Sequence, residues 1–174
     1  MQDWQTIVTE CGPLVWRTAY RLLGNHADAA DCFQETFLAA LELSRRQPVR
    51  NMSGLLVRLA TTRAIDRLRQ RGRQEHWQAE GRDSDETASS DPGDEVEAQE
   101  LVRQLREAIS QLPAQEAKVF CLRYLSEMSY RQIASQLGIG INIVGVSLYR
   151  AKARLREALD AVQTEKGEVS HEEA

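Results

Sequence analysis

Apolar side chains recur at intervals of three and four residues along most of the chain, which is the spacing of one buried helix face. Pro13 suits the first turn of a helix, and Ser53 suits an N-cap. In the first half the pattern predicts a short helix before Gly12 and three longer helices, over 13–23, 27–43 and 53–71. The alternation typical of β-strands does not occur, so this half is expected to form a small helical bundle.

The second half shows the pattern of a helix-turn-helix. Helices are predicted over 96–109 and 114–124. Ser129 and Gln132 form a capping box that opens the next helix, and Gly138 and Gly140 permit a tight turn after it. The last helix has four apolar residues at spacings of four, three and four, which predicts its buried side: Val144, Leu148, Ala151 and Leu155. Helix-turn-helix proteins place the second helix in the major groove of DNA.

Charge is distributed in blocks that the net charge of −4 conceals. Residues 1–72 carry ten basic and seven acidic side chains, and residues 99–160 carry nine and six. Between them, residues 73–98 carry two basic and nine acidic side chains and few apolar ones, which predicts a flexible linker. The expected architecture is all-α: two small helical domains (1–72 and 96–162), the second containing the helix-turn-helix, joined by an acidic flexible linker (73–95) and followed by an acidic tail (163–174).

Several function classes are disfavoured by what the sequence lacks. Its three histidines have no HExxH or CxxC companions, and no GxSxG, P-loop or GxGxxG motif is present, so no catalytic residue, metal site or cofactor is predicted. Cys11, Cys32 and Cys121 are expected to be small core residues. No apolar run approaches the roughly 20 residues of a membrane span, and the N-terminus lacks signal-peptide features. We therefore expect a cytoplasmic protein without membrane insertion.

Two helices carry rows of like charge. Asp28, Asp31 and Glu35 fall at i, i+3 and i+7 on one face, with Gln34 beside them. These acids suit the helix dipole, a protein-docking face or, less well, a metal site, because no histidine joins them at i+3 or i+4. The basic row consists of Arg63, Arg67 and Arg71 at spacings of four, with Arg69 on a neighbouring row. It suits either a solvated face or phosphate contacts.

The helix-turn-helix has an unusual charge distribution for a DNA-binding element. Residues 141–148, at the start of the second helix, contain no lysine or arginine. Its basic residues lie further along, at Arg150, Lys152, Arg154 and Arg156, and before the turn, at Arg131. Phosphate contacts are expected chiefly from Arg131, Arg150, Lys152 and Arg154.

Three stretches, "YRLLGNHADAADCFQETFLAAL", "LLVRLATTRAIDRLRQRGR" and "AISQLPAQEAKVFCLRYLSEMSYRQIASQLGIG", resemble the extracytoplasmic-function sigma factors of the sigma-70 family. The resemblance implies a transcription initiation factor whose first domain binds core RNA polymerase and melts the −10 element, and whose second domain recognises the −35 element. It also allows an anti-sigma factor as a partner. Asp28, Asp31, Gln34 and Glu35 match the polymerase-binding helix. The −10 segment is matched by Arg63, Asp66, Arg67 and Arg69, and the −35 module by 130–133, Arg150 and Lys152.

The chain departs from the family pattern in the recognition helix, where two usually basic positions are Gly145 and Ser147. Base recognition there would rest on Asn142 and Ser147, with apolar contacts from Ile143 or Val146 to thymine methyl groups. An exposed apolar patch at these positions equally suits a protein partner. Besides a sigma factor, the sequence therefore leaves open a sigma-derived module that docks on polymerase or an antagonist but recognises DNA poorly. A metal-dependent hydrolase using the acidic row is the weakest alternative.

Overall fold

The computed structural model describes residues 3–79 and 94–169, with side chains described for 3–75 and 95–164. Seven α-helices and no strand occur within these residues, which confirms the all-α prediction. They are α1 (Trp4–Leu23), α2 (His26–Arg46), α3 (Met52–Ala79), α4 (Asp94–Gln111), α5 (Ala114–Tyr124), α6 (Tyr130–Leu137) and α7 (Ile141–Val169). The helices extend beyond the predicted domain bounds, since residues 73–79 of the predicted linker continue α3, residues 94–95 open α4, and residues 163–169 of the predicted tail continue α7. The rest of the linker, residues 80–93, and of the tail, residues 170–174, lies outside the described residues.

Two predictions about helix starts are wrong. Pro13 lies inside α1, which continues unbroken from Trp4, and its side chain faces solvent. The turns before Pro13 are held by packing, because Trp4, Ile7 and Cys11 contact a core shared with α2 and α3, and this outweighs the hydrogen bond that proline cannot donate.

At the start of α3 the capping residue is Asn51, because its side-chain oxygen accepts from the backbone N–H of Gly54 at 2.8 Å. Ser53, the predicted cap, already lies within the helix.

The remaining turns follow their local sequence signals. Gly24 ends α1 in the left-handed conformation, at a φ of 74°, and Asn25 caps α2 by accepting from the backbone N–H of Asp28. The predicted capping box of α6 is present, with Ser129 and Gln132 bonded in both directions. Gly138 ends α6 at a φ of 65°, which glycine adopts without steric cost.

One continuous core joins the first helical group, α1–α3, to the second, α4–α7. Ile65 and Leu68 of α3 belong to the same buried cluster as Ile109 of α4, Cys121 of α5 and Leu155 of α7. Nearer the start of α3, Val57 packs into the core of the helix-turn-helix. The two predicted domains therefore lie against each other in this structure, with α3 between them.

Candidate protein- and nucleic-acid-binding surfaces

Six charged side chains of α2 and α3 form an ion-pair network on the surface. Arg67 lies at its centre, with its guanidinium 2.6 Å from Glu35 Oε1 and 3.6 Å from Asp31 Oδ2. The other pairs are Arg67 with Asp28 at 3.7 Å, Arg63 with Glu35 at 3.6 Å, and Arg71 with Asp28. The predicted acidic row and three of the four predicted arginines thus face each other across two helices.

Within this network Asp28 has a structural role. The side-chain amide of Asn25 donates to Asp28 Oδ2 at 2.9 Å, and Arg71 pairs with the same oxygen. The Asn25 hydrogen bond, together with Arg71 and Arg67, holds the pKa of Asp28 below its ordinary value. Asp28 also lies in the first turn of α2, where its negative charge is favoured by the helix dipole.

The outer edge of the acidic row remains open to solvent. Asp31 keeps 64% of its side-chain area exposed, and its ion pair with Arg67 is the 3.6 Å contact given above. Gln34 is exposed beside it. Asp31 and Gln34 are therefore the predicted polymerase-binding residues that another protein can reach most directly.

Arginines of α3 also bond to backbone carbonyls around the contact between the two helical groups. Arg69 donates to the carbonyl of Leu112, between α4 and α5, at 2.5 Å, and Arg71 donates to that of Leu23 at 3.2 Å. Nearby, Arg21 of α1 donates to the carbonyl of Leu125 at 3.0 Å. The four α3 arginines that the sequence assigns to DNA are thus held by partners within the chain in this structure.

In the helix-turn-helix, α7 packs on α5 through its predicted apolar face. Val144, Leu148, Ala151 and Leu155 are all buried, as predicted. Ser147, which the sequence places among the DNA-contacting residues, is only 5% exposed, and its hydroxyl accepts from Gln115 Nε2 of α5 at 3.2 Å. Ser147 therefore faces the interior in this structure, since it lies at the edge of the helix face that the four apolar residues bury.

The opposite face of α7 combines apolar and basic residues. Ile143, Val146 and Tyr149 are exposed there, and Asn142 and Arg150 lie beside them. Gly145 is in the same part of the helix, and the nearest atom to a Cβ placed on it is a ring carbon of Tyr130, at 3.9 Å. A Cβ at this position is thus in ordinary van der Waals contact.

The basic end of α7 divides into free and engaged cations. Arg150 and, on α6, Arg131 are exposed. Lys152 lies over the ring of Tyr124, with Nζ 5.1 Å from its centroid. Arg154 pairs with Glu116 of α5 at 3.0 Å, and the side chain of Glu116 is only 9% exposed. Arg154 therefore stabilises a buried acid, which the sequence did not indicate because the two residues are 38 positions apart.

The described part of the chain also contains three thiols and side chains of the types that bind metal ions. No group of three or more His, Cys, Asp or Glu residues there is arranged to hold a metal ion. The three cysteines are free thiols; Cys32 and Cys121 are buried, whereas Cys11 is half-buried. Burial raises the pKa of Cys121 to about 12. None of the helices described is long and apolar enough to cross a membrane.

Two family models match most of the helical part of the chain. Residues 7–74 match the family described as sigma-70 region 2, and residues 102–155 match sigma-70, region 4. The chain is 30% identical over 161 residues to the ECF RNA polymerase sigma factor SigE of Mycolicibacterium smegmatis, covering 91% of this chain and 62% of that protein. It is 29% identical over 154 residues to the ECF RNA polymerase sigma factor SigW of Bacillus subtilis, covering 83% and 82%.

Two solved structures share the fold at 21% sequence identity. One is the sigma factor RpoE of Bartonella quintana in complex with the anti-sigma factor NepR, with a TM-score of 0.56, covering 92% of this chain and 98% of that one. The other is CnrH in complex with the cytosolic domain of CnrY, with a TM-score of 0.58, covering 91% and 88%. The region 2 match contains the ion-pair network and the region 4 match contains the helix-turn-helix, in the family's order; the chain belongs to the extracytoplasmic-function group of the sigma-70 family.

Proposed function

We propose that this protein is a bacterial transcription initiation factor that binds core RNA polymerase and directs it to specific promoters. The observation that carries the proposal is the presence of both a region 2 match and a region 4 match, in that order, over 7–74 and 102–155. A chain with both regions can hold polymerase and two promoter elements at once. The protein spans 62% of the length of its SigE relative, so the assignment concerns the functions of these two regions.

We assign polymerase binding to the acidic face of α2, through Asp31 and Gln34 at its exposed edge and Asp28 and Glu35 within the ion-pair network. Charge reversal on this face should weaken binding, because its solvent-exposed carboxylates suit a basic partner surface.

The DNA-binding assignment falls on two surfaces. The −10 element is assigned to the α3 residues Arg63, Arg67, Arg69 and Arg71, and the −35 element to Arg131, Asn142, Arg150, Lys152 and Arg154. In this structure the α3 arginines are paired with α2 carboxylates or bonded to backbone carbonyls. Binding at −10 therefore requires them to exchange these partners for phosphates.

We also propose that the two regions act as separable domains, 1–72 and 96–162, with 73–95 as the linker and 163–174 as a tail. Their close packing, through α3 against α4 and α5, favours a closed free protein in which the −10 surface is partly covered. Core polymerase would then separate the domains. This predicts little promoter binding by the protein alone.

Sigma factors are initiation factors without catalysis of their own, and we extend this to the present chain. Its work with polymerase would take place in the cytoplasm. An anti-sigma factor is a further proposed partner, because both structural neighbours are complexes, one with the anti-sigma factor NepR and the other with the cytosolic domain of CnrY. Such a partner would bind the surfaces that promoter recognition needs.

One experiment tests this function: run-off transcription with purified core polymerase on a promoter library. Sequence-specific transcripts that require both proteins are the expected result. The alternative is a sigma-derived module that docks on polymerase or an antagonist and recognises DNA poorly, and it is favoured by one observation, the lack of any lysine or arginine in the first two turns of α7. Binding to core polymerase without promoter-specific transcripts would support that alternative.

A further inference from the structure

The exposed side of α7, the second helix of the helix-turn-helix, presents an apolar strip. Val146 lies opposite the buried face of the helix and is 49% exposed. Ile143 and Tyr149, one turn before and after it, are 47% and 78% exposed. These three residues, here called the α7 strip, are not covered by any part of the described chain.

The surroundings of the α7 strip favour a polyanion over a protein as its occupant. Between residues 128 and 156 the chain has five cations and no acid, although the whole protein has a net charge of −4. Arg150 is exposed one turn after Val146, and Arg131 is exposed on α6, the first helix of the motif. An apolar strip in a segment whose charged residues are all positive matches the major groove, where phosphates flank the base edges.

The chemistry of the strip limits which base edges it can recognise. Valine and isoleucine donate and accept no hydrogen bonds, so they leave the acceptors of guanine and the donor of cytosine unsatisfied. In the major groove the apolar group on a base edge is the C5-methyl of thymine.

We propose that Val146 and Ile143 recognise thymine methyl groups in the −35 element, and that Arg131 and Arg150 hold the flanking phosphates. This inference rests on the proposed function and deepens it, because it states which bases the second promoter contact selects. Specificity would come from apolar contact, and the position of the helix from charge.

The test uses the full chain bound to core polymerase. A library with a randomised −35 element is selected for transcription, and thymine enrichment at one or two positions is expected. Each enriched thymine is then replaced by deoxyuridine, which has the same hydrogen-bonding groups but lacks the C5-methyl. Each replacement should weaken holoenzyme binding about fourfold, the value for one buried methyl group.

Variants connect this effect to the strip. Val146→Ala combined with Ile143→Ala should bring the thymine-to-deoxyuridine ratio from about fourfold to about one. Leu101→Ala on α4 is the matched control, because it shortens a side chain that is also half exposed, away from the helix-turn-helix, and it should keep the full ratio. Both changes are at the surface, so the proteins should remain folded.

The outcomes are distinct. No thymine enrichment, or equal binding of thymine and deoxyuridine sites while promoter-specific transcription persists, would overturn the inference and leave the sigma function intact. Weaker binding of the double variant to core polymerase in the absence of DNA would overturn it in favour of a protein-docking strip. Absence of any promoter-specific transcription would overturn the proposed function as well.

Discussion

Reversing the charge of Asp31 separates the docking role of the acidic face from its role in folding. Asp31 and Glu35 belong to the same row of α2, but the structure gives them different partners. Asp31 is 64% exposed and makes a single 3.6 Å contact with Arg67. Glu35 accepts a 2.6 Å hydrogen bond from Arg67 and lies 3.6 Å from Arg63. Asp31→Lys should therefore change the surface, whereas Glu35→Lys should also disturb the packing of α2 on α3.

The expected cost in stability follows from these contacts. Loss of one exposed ion pair is worth about 0.5 kcal/mol or less, so Asp31→Lys should leave the free energy of unfolding nearly unchanged. Glu35→Lys removes two contacts and places a cation beside two guanidinium groups. Because Glu35 is about half exposed, solvent screens these effects, and we expect a loss of about 1 to 2 kcal/mol at low salt.

Unfolding in urea, an uncharged denaturant, is followed by circular dichroism and measures the stability. A pull-down titration measures affinity for core polymerase. Asp31→Lys should weaken polymerase binding while it unfolds at nearly the wild-type urea concentration. Glu10→Lys on α1, an exposed charge reversal of the same size, is the control and should alter neither. Wild-type affinity of the Asp31 variant would refute the docking role. Destabilisation equal to that of the Glu35 variant would refute the assignment of contacts.

Three further outcomes are expected. Arg154→Ala should lower the free energy of unfolding by about 1 to 3 kcal/mol, because it leaves the buried Glu116 carboxylate unpaired, whereas Arg150→Ala should leave it within about 0.5 kcal/mol in the same urea titration. Gly145→Lys should steepen the salt dependence of holoenzyme binding to −35 DNA by about 0.9 relative to Gly145→Ala, measured as log affinity against log salt. The lowered pKa of Asp28 means that its carboxylate stabilises the fold fully above the unfolded value of about 3.9 and loses this effect as pH falls through the folded value, so Asp28→Asn should flatten the dependence of stability on pH below about 4.

Much of the fold could be predicted because its signals are local. The capping box at Ser129 and the glycine after α6 lie within a few residues of the helix ends that they determine. The prediction for Pro13 was wrong because the helix before it is held by distant side chains of α2 and α3. Likewise, Asn51 and Ser53 are both good N-caps, and the choice between them depends on where α3 first packs.

The functional surfaces were likewise predictable where their signals are local and not where they depend on packing between distant helices. Both charged rows could be predicted from the spacing of their residues in the sequence. Their pairing could not, because it depends on α2 and α3 packing side by side in the tertiary structure. The burial of Ser147 could have been found from the sequence, since the residue lies three positions after Val144 and beside Leu148, at the edge of the predicted buried face. The contact between the two helical groups left no signal, because Ile65 and Leu68 of α3 would be apolar whether they packed only on α1 and α2 or also on the second group.

The central claim is that one chain places polymerase on two promoter elements at once. DNase footprinting, on a promoter selected by the holoenzyme, tests it most directly. We predict protection of the −35 and −10 elements together only when the protein and core polymerase are both present, with permanganate-reactive thymines at −10. Protection that core polymerase gives alone, or a complex of the two proteins that protects neither element, would contradict the account.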